Sequence, residues 1–89
     1  MSNYNPPKEI KKELPWSPTK SQVFRMYIKF SQVSIRDEMK SVMAEHRKIS
    51  EDKVRNIRRL YHPEFVKIVK MLGIPKGYYA PEGFFDETK

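Results

Sequence analysis

Phe24-Arg25-Met26-Tyr27-Ile28-Lys29-Phe30 is the stretch whose conformation decides the fold. Apolar side chains stand at every second position, Phe24, Met26, Ile28 and Phe30, with Arg25, Tyr27 and Lys29 between them. That is the period of a strand with one buried face, and the aromatic and β-branched content agrees with it. The same residues also hold a helical period, because Val23, Tyr27 and Phe30 recur at i, i+4 and i+7. The strand makes the chain mainly α with one N-terminal β-strand, two capped helices and a further C-terminal helix. The helix makes it an all-α domain of three or four helices. On the strand reading two copies pair through Phe24 to Phe30, and Ile28→Asp unfolds the protein.

Downstream, Gln32 and Val33 make a short connection and Ser34-Ile35-Arg36-Asp37 has the form of a capping box. Ile35, Met39, Val42, Met43 and Ile49 then form a continuous apolar stripe at helical spacing. His46 falls on that stripe as a packed or helix-terminal residue. Ser50, with Glu51 and Asp52 behind it, signals a second start, because acidic groups favour the positive end of a helix dipole. Val54, Ile57, Tyr61, Phe65, Ile68 and Leu72 recur at steps of three or four, but Pro63 interrupts them. Lacking an amide hydrogen, Pro63 opens a helix more readily than it continues one. Two helices are therefore expected, Ser50 to about Tyr61 and about Pro63 to Leu72, the last closed by Gly73 and Pro75.

Upstream, Met1 to Pro18 holds four of the seven prolines and lacks a sustained apolar period, so residues 1–20 read as a flexible basic arm. Ile10 and Leu14 allow a single helical turn there, stopped by Pro15, and Trp16 is the arm's one large anchor. Residues 21–73 form the domain. The tail, 74–89, is rich in Pro and Gly and carries Tyr78, Tyr79, Phe84 and Phe85. Such aromatic pairs either strap the domain or occupy a partner's groove.

With 89 residues there is room for one small domain, and without cysteine it has neither disulfides nor thiolate metal sites. Self-association or docking is the natural remedy for so small a core. No apolar run reaches the length of a membrane span, which leaves an intracellular protein, cytoplasmic, nucleoid-associated or organellar. Nothing in the sequence forms a glycine-rich phosphate loop or a nucleophile elbow, and the two histidines, His46 and His62, are sixteen apart. No catalytic, metal or cofactor site is expected. The net charge of +7 is concentrated in residues 40–70, where nine Lys and Arg face four Asp and Glu. Such a balance suits an acidic partner, nucleic acid first. On a helical wheel Arg55, Arg59 and Lys70 share one side, and Arg55 with Arg59 is a candidate anion-binding pair.

In order, a strand with exposed cations, a capped amphipathic helix, a break and a second capped helix resemble the ribbon-helix-helix family of DNA-binding regulators, over about Phe24 to Tyr61. The resemblance implies a homodimer whose paired strands lie in the major groove, with Arg25, Tyr27 and Lys29 reading bases. Lys48-Ile49-Ser50 stands where that family has a glycine, an apolar residue and a small polar residue, so Lys48 departs from the pattern. Arg55 departs too, at a position the family keeps apolar. If Ser21 to Val33 is instead helical, Val23-Phe24-Arg25-Met26-Tyr27 resembles the small three-helix LYR proteins of mitochondrial complexes, with Ile28 in place of their arginine. The functional expectation is a dimeric DNA-binding regulator. The alternative is a non-catalytic accessory subunit of a larger protein or ribonucleoprotein assembly, mitochondrial or ribosomal, holding its partner through Trp16, Tyr78, Tyr79, Phe84 and Phe85.

Overall fold

The computed structural model describes residues 11–86. Residues 1–10 of the expected arm and 87–89 of the tail lie outside the described residues. The elements run β1 (Lys12–Glu13), α1 (Lys20–Met26), α2 (Gln32–Arg47), α3 (Glu51–Val54), α4 (His62–Leu72) and β2 (Tyr78–Tyr79). Over the described residues the protein is mainly helical, with one short pair of parallel strands, and thus nearer the four-helix alternative than a ribbon-helix-helix.

The strand expected at Phe24 to Phe30 does not form. Thr19 caps a helix instead: its hydroxyl accepts from the Gln22 amide (3.2 Å), and the Gln22 side chain accepts from the Thr19 amide (2.8 Å). This reciprocal box satisfies two amides that a helix start otherwise leaves unpaired. The burial that follows has steps of three and four: Val23, Met26 and Tyr27 are buried. Ile28 is 67% exposed and Phe30 42%, so half of the expected buried face is in solvent. Tyr27, expected to point outward, is buried, and its hydroxyl donates to the Gly73 carbonyl (2.6 Å).

The stripe of α2 is as expected, with Ile35, Met39, Val42 and Met43 all buried. The helix begins earlier than expected, because Ser31 and not Ser34 is its cap, accepting from the Ser34 amide. It ends at Lys48, a left-handed residue (φ 59°, ψ 47°), with the Ile49 amide reaching back to the Ala44 carbonyl (3.1 Å). A non-glycine residue in that conformation crowds its Cβ against the backbone. Lys48→Gly is therefore expected to raise stability by about 0.5–1 kcal/mol, the relief exceeding the extra entropy glycine gives the unfolded chain. A thermal melt a few degrees higher checks it.

The helix expected from Ser50 to Tyr61 is only four residues long. Beyond Val54 the chain is drawn out to pair with the segment before α1: Leu60 donates to Pro18 (2.9 Å) and Lys20 to Arg58 (2.8 Å), around an antiparallel Thr19–Arg59 bridge. Leu60 is fully buried by this arrangement. α4 then starts where Pro63 requires, and its face of Phe65, Val66, Ile68 and Val69 packs against α2.

The expectation of a free N-terminal arm is corrected, and of the two alternatives for the tail the strap is the one seen. Residues 12–20 are built into the domain: β1 lies parallel to β2, Lys12 opposite Tyr78 and Glu13 opposite Tyr79, and Leu14 is buried in place of a helical turn. The tail is a strap, since Phe84 is buried against Phe65, at 5.8 Å between ring centroids.

Candidate functional site

Two polar assemblies hold the frame on which any binding surface stands. In the first, α4 brings Glu64 to full burial opposite the end of α2. Its Oε2 accepts from Arg47 Nε (2.7 Å) and from His46 Nδ1 (2.9 Å), and its Oε1 accepts from Arg47 Nη2 (2.9 Å) and the Tyr61 amide (2.7 Å). The Arg47 guanidinium also lies over the Tyr61 ring, 3.9 Å from its centroid. Burial alone would push the Glu64 carboxyl up, but the Arg47, Tyr61 and His46 donors outweigh it and hold it below the usual carboxylate range. The Glu64 hydrogen bond in turn raises Arg47 above its ordinary value. This pair is structural: every acceptor position on Glu64 is occupied from within the chain.

In the second, His62 joins the two ends. Its Nδ1 lies 2.9 Å from the Trp16 carbonyl oxygen and its Nε2 2.7 Å from that of Phe84, so the ring bridges the backbone of the two ends. The ring lies 4.5 Å from that of Trp16 and 4.7 Å from that of Phe84. Trp16 thus folds back on the domain, with 44% of its surface still exposed.

The expected nucleic-acid contacts do not share one face. Tyr27 is in the core. Arg59 spends its guanidinium on the Ser17 carbonyl, bracing the pairing of residues 17–20 with 58–60. Arg25 and Lys29 stand at the end of α1, in a groove of about 310 Å³ that they share with Lys76. Arg55 lines a different and larger groove, about 460 Å³, between α1, α2 and α3.

That larger groove is the candidate site. Lys20, Arg36, Lys40 and Arg55 converge on it from three elements, over an apolar floor of Phe24, Met39 and Val54. Lys20 is oriented by a bond from its ammonium to the Val54 carbonyl (2.6 Å), and burial, helped by the charge of Arg47, lowers its pKa. Glu51 and Asp52 also line the groove, leaving a balance of two positive charges, and among the described residues neither acid pairs with these cations. The i, i+4 spacing of Arg36 and Lys40 puts both on one face of α2 but went unread, and Lys20 joins them only through the fold. Of the expected partner residues, Tyr79 is 44% and Phe85 39% exposed, while Tyr78 is half-buried and Phe84 buried. Among the described residues no cluster of three or more His, Cys, Asp or Glu could hold a metal, and no helix is long and apolar enough to cross a membrane. No family model, curated protein or solved structure matches the chain.

Proposed function

We propose that the protein is a non-catalytic accessory subunit that grips the phosphate backbone of a nucleic acid within a larger assembly. The observation that carries this reading is the convergence of Lys20, Arg36, Lys40 and Arg55 on one groove. Cations set in a recess between low-dielectric walls focus their field on an anion that enters it. Contacts of this kind fix position on the polymer without reading its sequence. Base readout by a ribbon is not part of the proposal, because Arg25, Tyr27 and Lys29 do not alternate on a strand.

Titration of duplexes of differing sequence at several salt concentrations tests it. Log affinity is expected to fall linearly with log salt, with a slope of about −0.9 for each phosphate neutralised, and equally for all sequences. Arg36→Ala and Arg55→Ala should each make the slope shallower by about 0.9, whereas Lys67→Ala on α4 should leave it unchanged. A clear preference for one duplex, or a slope indifferent to Arg36 and Arg55, would reject the reading.

A further inference from the structure

A second surface is unexplained by phosphate binding. The groove between the end of α1 and the chain leaving α4 is lined mainly by apolar side chains, and three of them, Ile28, Phe30 and Ile74, are 67%, 42% and 46% exposed. The turn after Tyr27 leaves Ile28 and Phe30 at the surface, with the Phe30 ring edge-on to Tyr27 at 5.6 Å between centroids. The groove is braced in two places. Tyr27 ties the end of α1 to Gly73 at the end of α4, and the Tyr78 amide donates to the Pro75 carbonyl (3.1 Å) beneath it. It is therefore preformed, with no side chain of the described residues folded into it. Arg25, Lys29 and Lys76 line it, and among the described residues no carboxylate does. None of these three cations has an ion-pair partner among the described residues.

We infer that this groove is the docking site for an acidic amphipathic helix of a partner protein. Apolar side chains at i, i+3 or i+4 and i+7 of such a helix would enter the recess beside Ile28, Phe30 and Ile74. Its flanking carboxylates would meet Arg25, Lys29 and Lys76, which select against a basic or neutral segment. The concave form favours an inserted helix over a lipid surface, on which apolar side chains must project. A cationic rim with no carboxylate equally disfavours a second copy of this basic chain, whose own rim would repel it. The surface is distinct from the Lys20, Arg36, Lys40 and Arg55 groove, so the two assignments stand or fall separately.

The probe is a designed peptide of about 20 residues, long enough to hold a helix, with Leu at i, i+3 and i+7 and Glu flanking them. A second peptide carries Lys in place of Glu. Binding of the Glu peptide should shift backbone amide resonances of residues 25–30 and 72–78, and the Lys peptide should bind roughly tenfold or more weakly. Ile28→Asp and Ile74→Asp should each lower the affinity about tenfold or more, since an added carboxylate removes apolar contact and opposes the peptide's charge. Both sites are exposed, so the melting temperature of each variant should stay near that of the parent, and the salt slope on duplexes should be unchanged. Equal binding of the two peptides, or shifts centred elsewhere, would overturn the inference. So would a failure of the Glu peptide to bind at all, binding of phosphatidylglycerol vesicles at this face in its place, or an Ile28-dependent dimer in sedimentation of the protein alone.

Discussion

Glu64→Ala is expected to destabilise the protein by about 3 kcal/mol, because it strands the Arg47 cation in a site built to neutralise it. The lower end of the usual range applies: Arg47 keeps 14% of its side chain in water and its contact with the Tyr61 ring. A loss of that size is a large part of the stability of a domain this small and should lower the melting temperature by about 12–24 °C. Replacing both partners, as in Arg47→Met with Glu64→Leu, should recover much of it, since the desolvation cost of the pair disappears along with its attraction. The same pair sets the response to acid. A carboxyl whose folded pKa is depressed contributes stability that is present above its unfolded value and is lost as pH falls through the folded one. Glu64 lies below the ordinary 4.5, so the loss should begin below about pH 5 and continue under 4.5. Chemical denaturation at a series of pH values should show this fall in the parent and a flatter profile in Glu64→Gln.

Phe84→Ala should cost about 3–5 kcal/mol, the amount expected when a buried aromatic ring leaves a cavity. The ring is fully enclosed and touches Phe65, Trp16 and His62, so the loss would be felt in both ends of the chain. Its neighbour supplies the control. Phe85 is 39% exposed and packs edge-on against Phe84, and Phe85→Ala should cost about 1 kcal/mol or less. Equal melting temperatures for the two variants would mean that the tail does not strap the core in solution.

What could be read from the residues depended on how far along the chain each signal reached. α2 and α4 were legible because each carries a long apolar stripe, and Ile35, Met39, Met43, Phe65 and Ile68 are all buried as that stripe requires. Phe24 to Phe30 was ambiguous because seven residues fit both periods. The deciding information lay outside them, in the Thr19-Lys20-Ser21-Gln22 spacing of a capping box that went unread. The early end of α3 had no local signal, since Ile57 and Tyr61 continue the helical spacing. The backbone of residues 58–60 is satisfied by residues 18–20, some forty positions away, and tertiary pairing overrides a short helix's propensity. The candidate site was legible only in its parts. Arg55 was expected there, the Arg36–Lys40 spacing went unread, Lys20 reaches the groove through that same pairing, and Arg59 leaves the anion-binding set because of it.

The pairing of β1 with β2 also bears on how the chain is made. Lys12 and Tyr78 lie 66 positions apart, and Trp16 waits for Phe84 and His62 to complete its contacts. During synthesis the helical hairpin of α2 and α4 can collapse as soon as Leu72 is free of the ribosome, because its contacts are comparatively local. The segment before α1 can join Arg58 and Leu60 at that stage, but its first residues have no partner strand and Leu14 has no roof. Until Tyr79 and then Phe84 emerge, the nascent chain is expected to expose an unpaired edge at Lys12–Glu13 beside uncovered apolar surface, a form open to pairing with other chains.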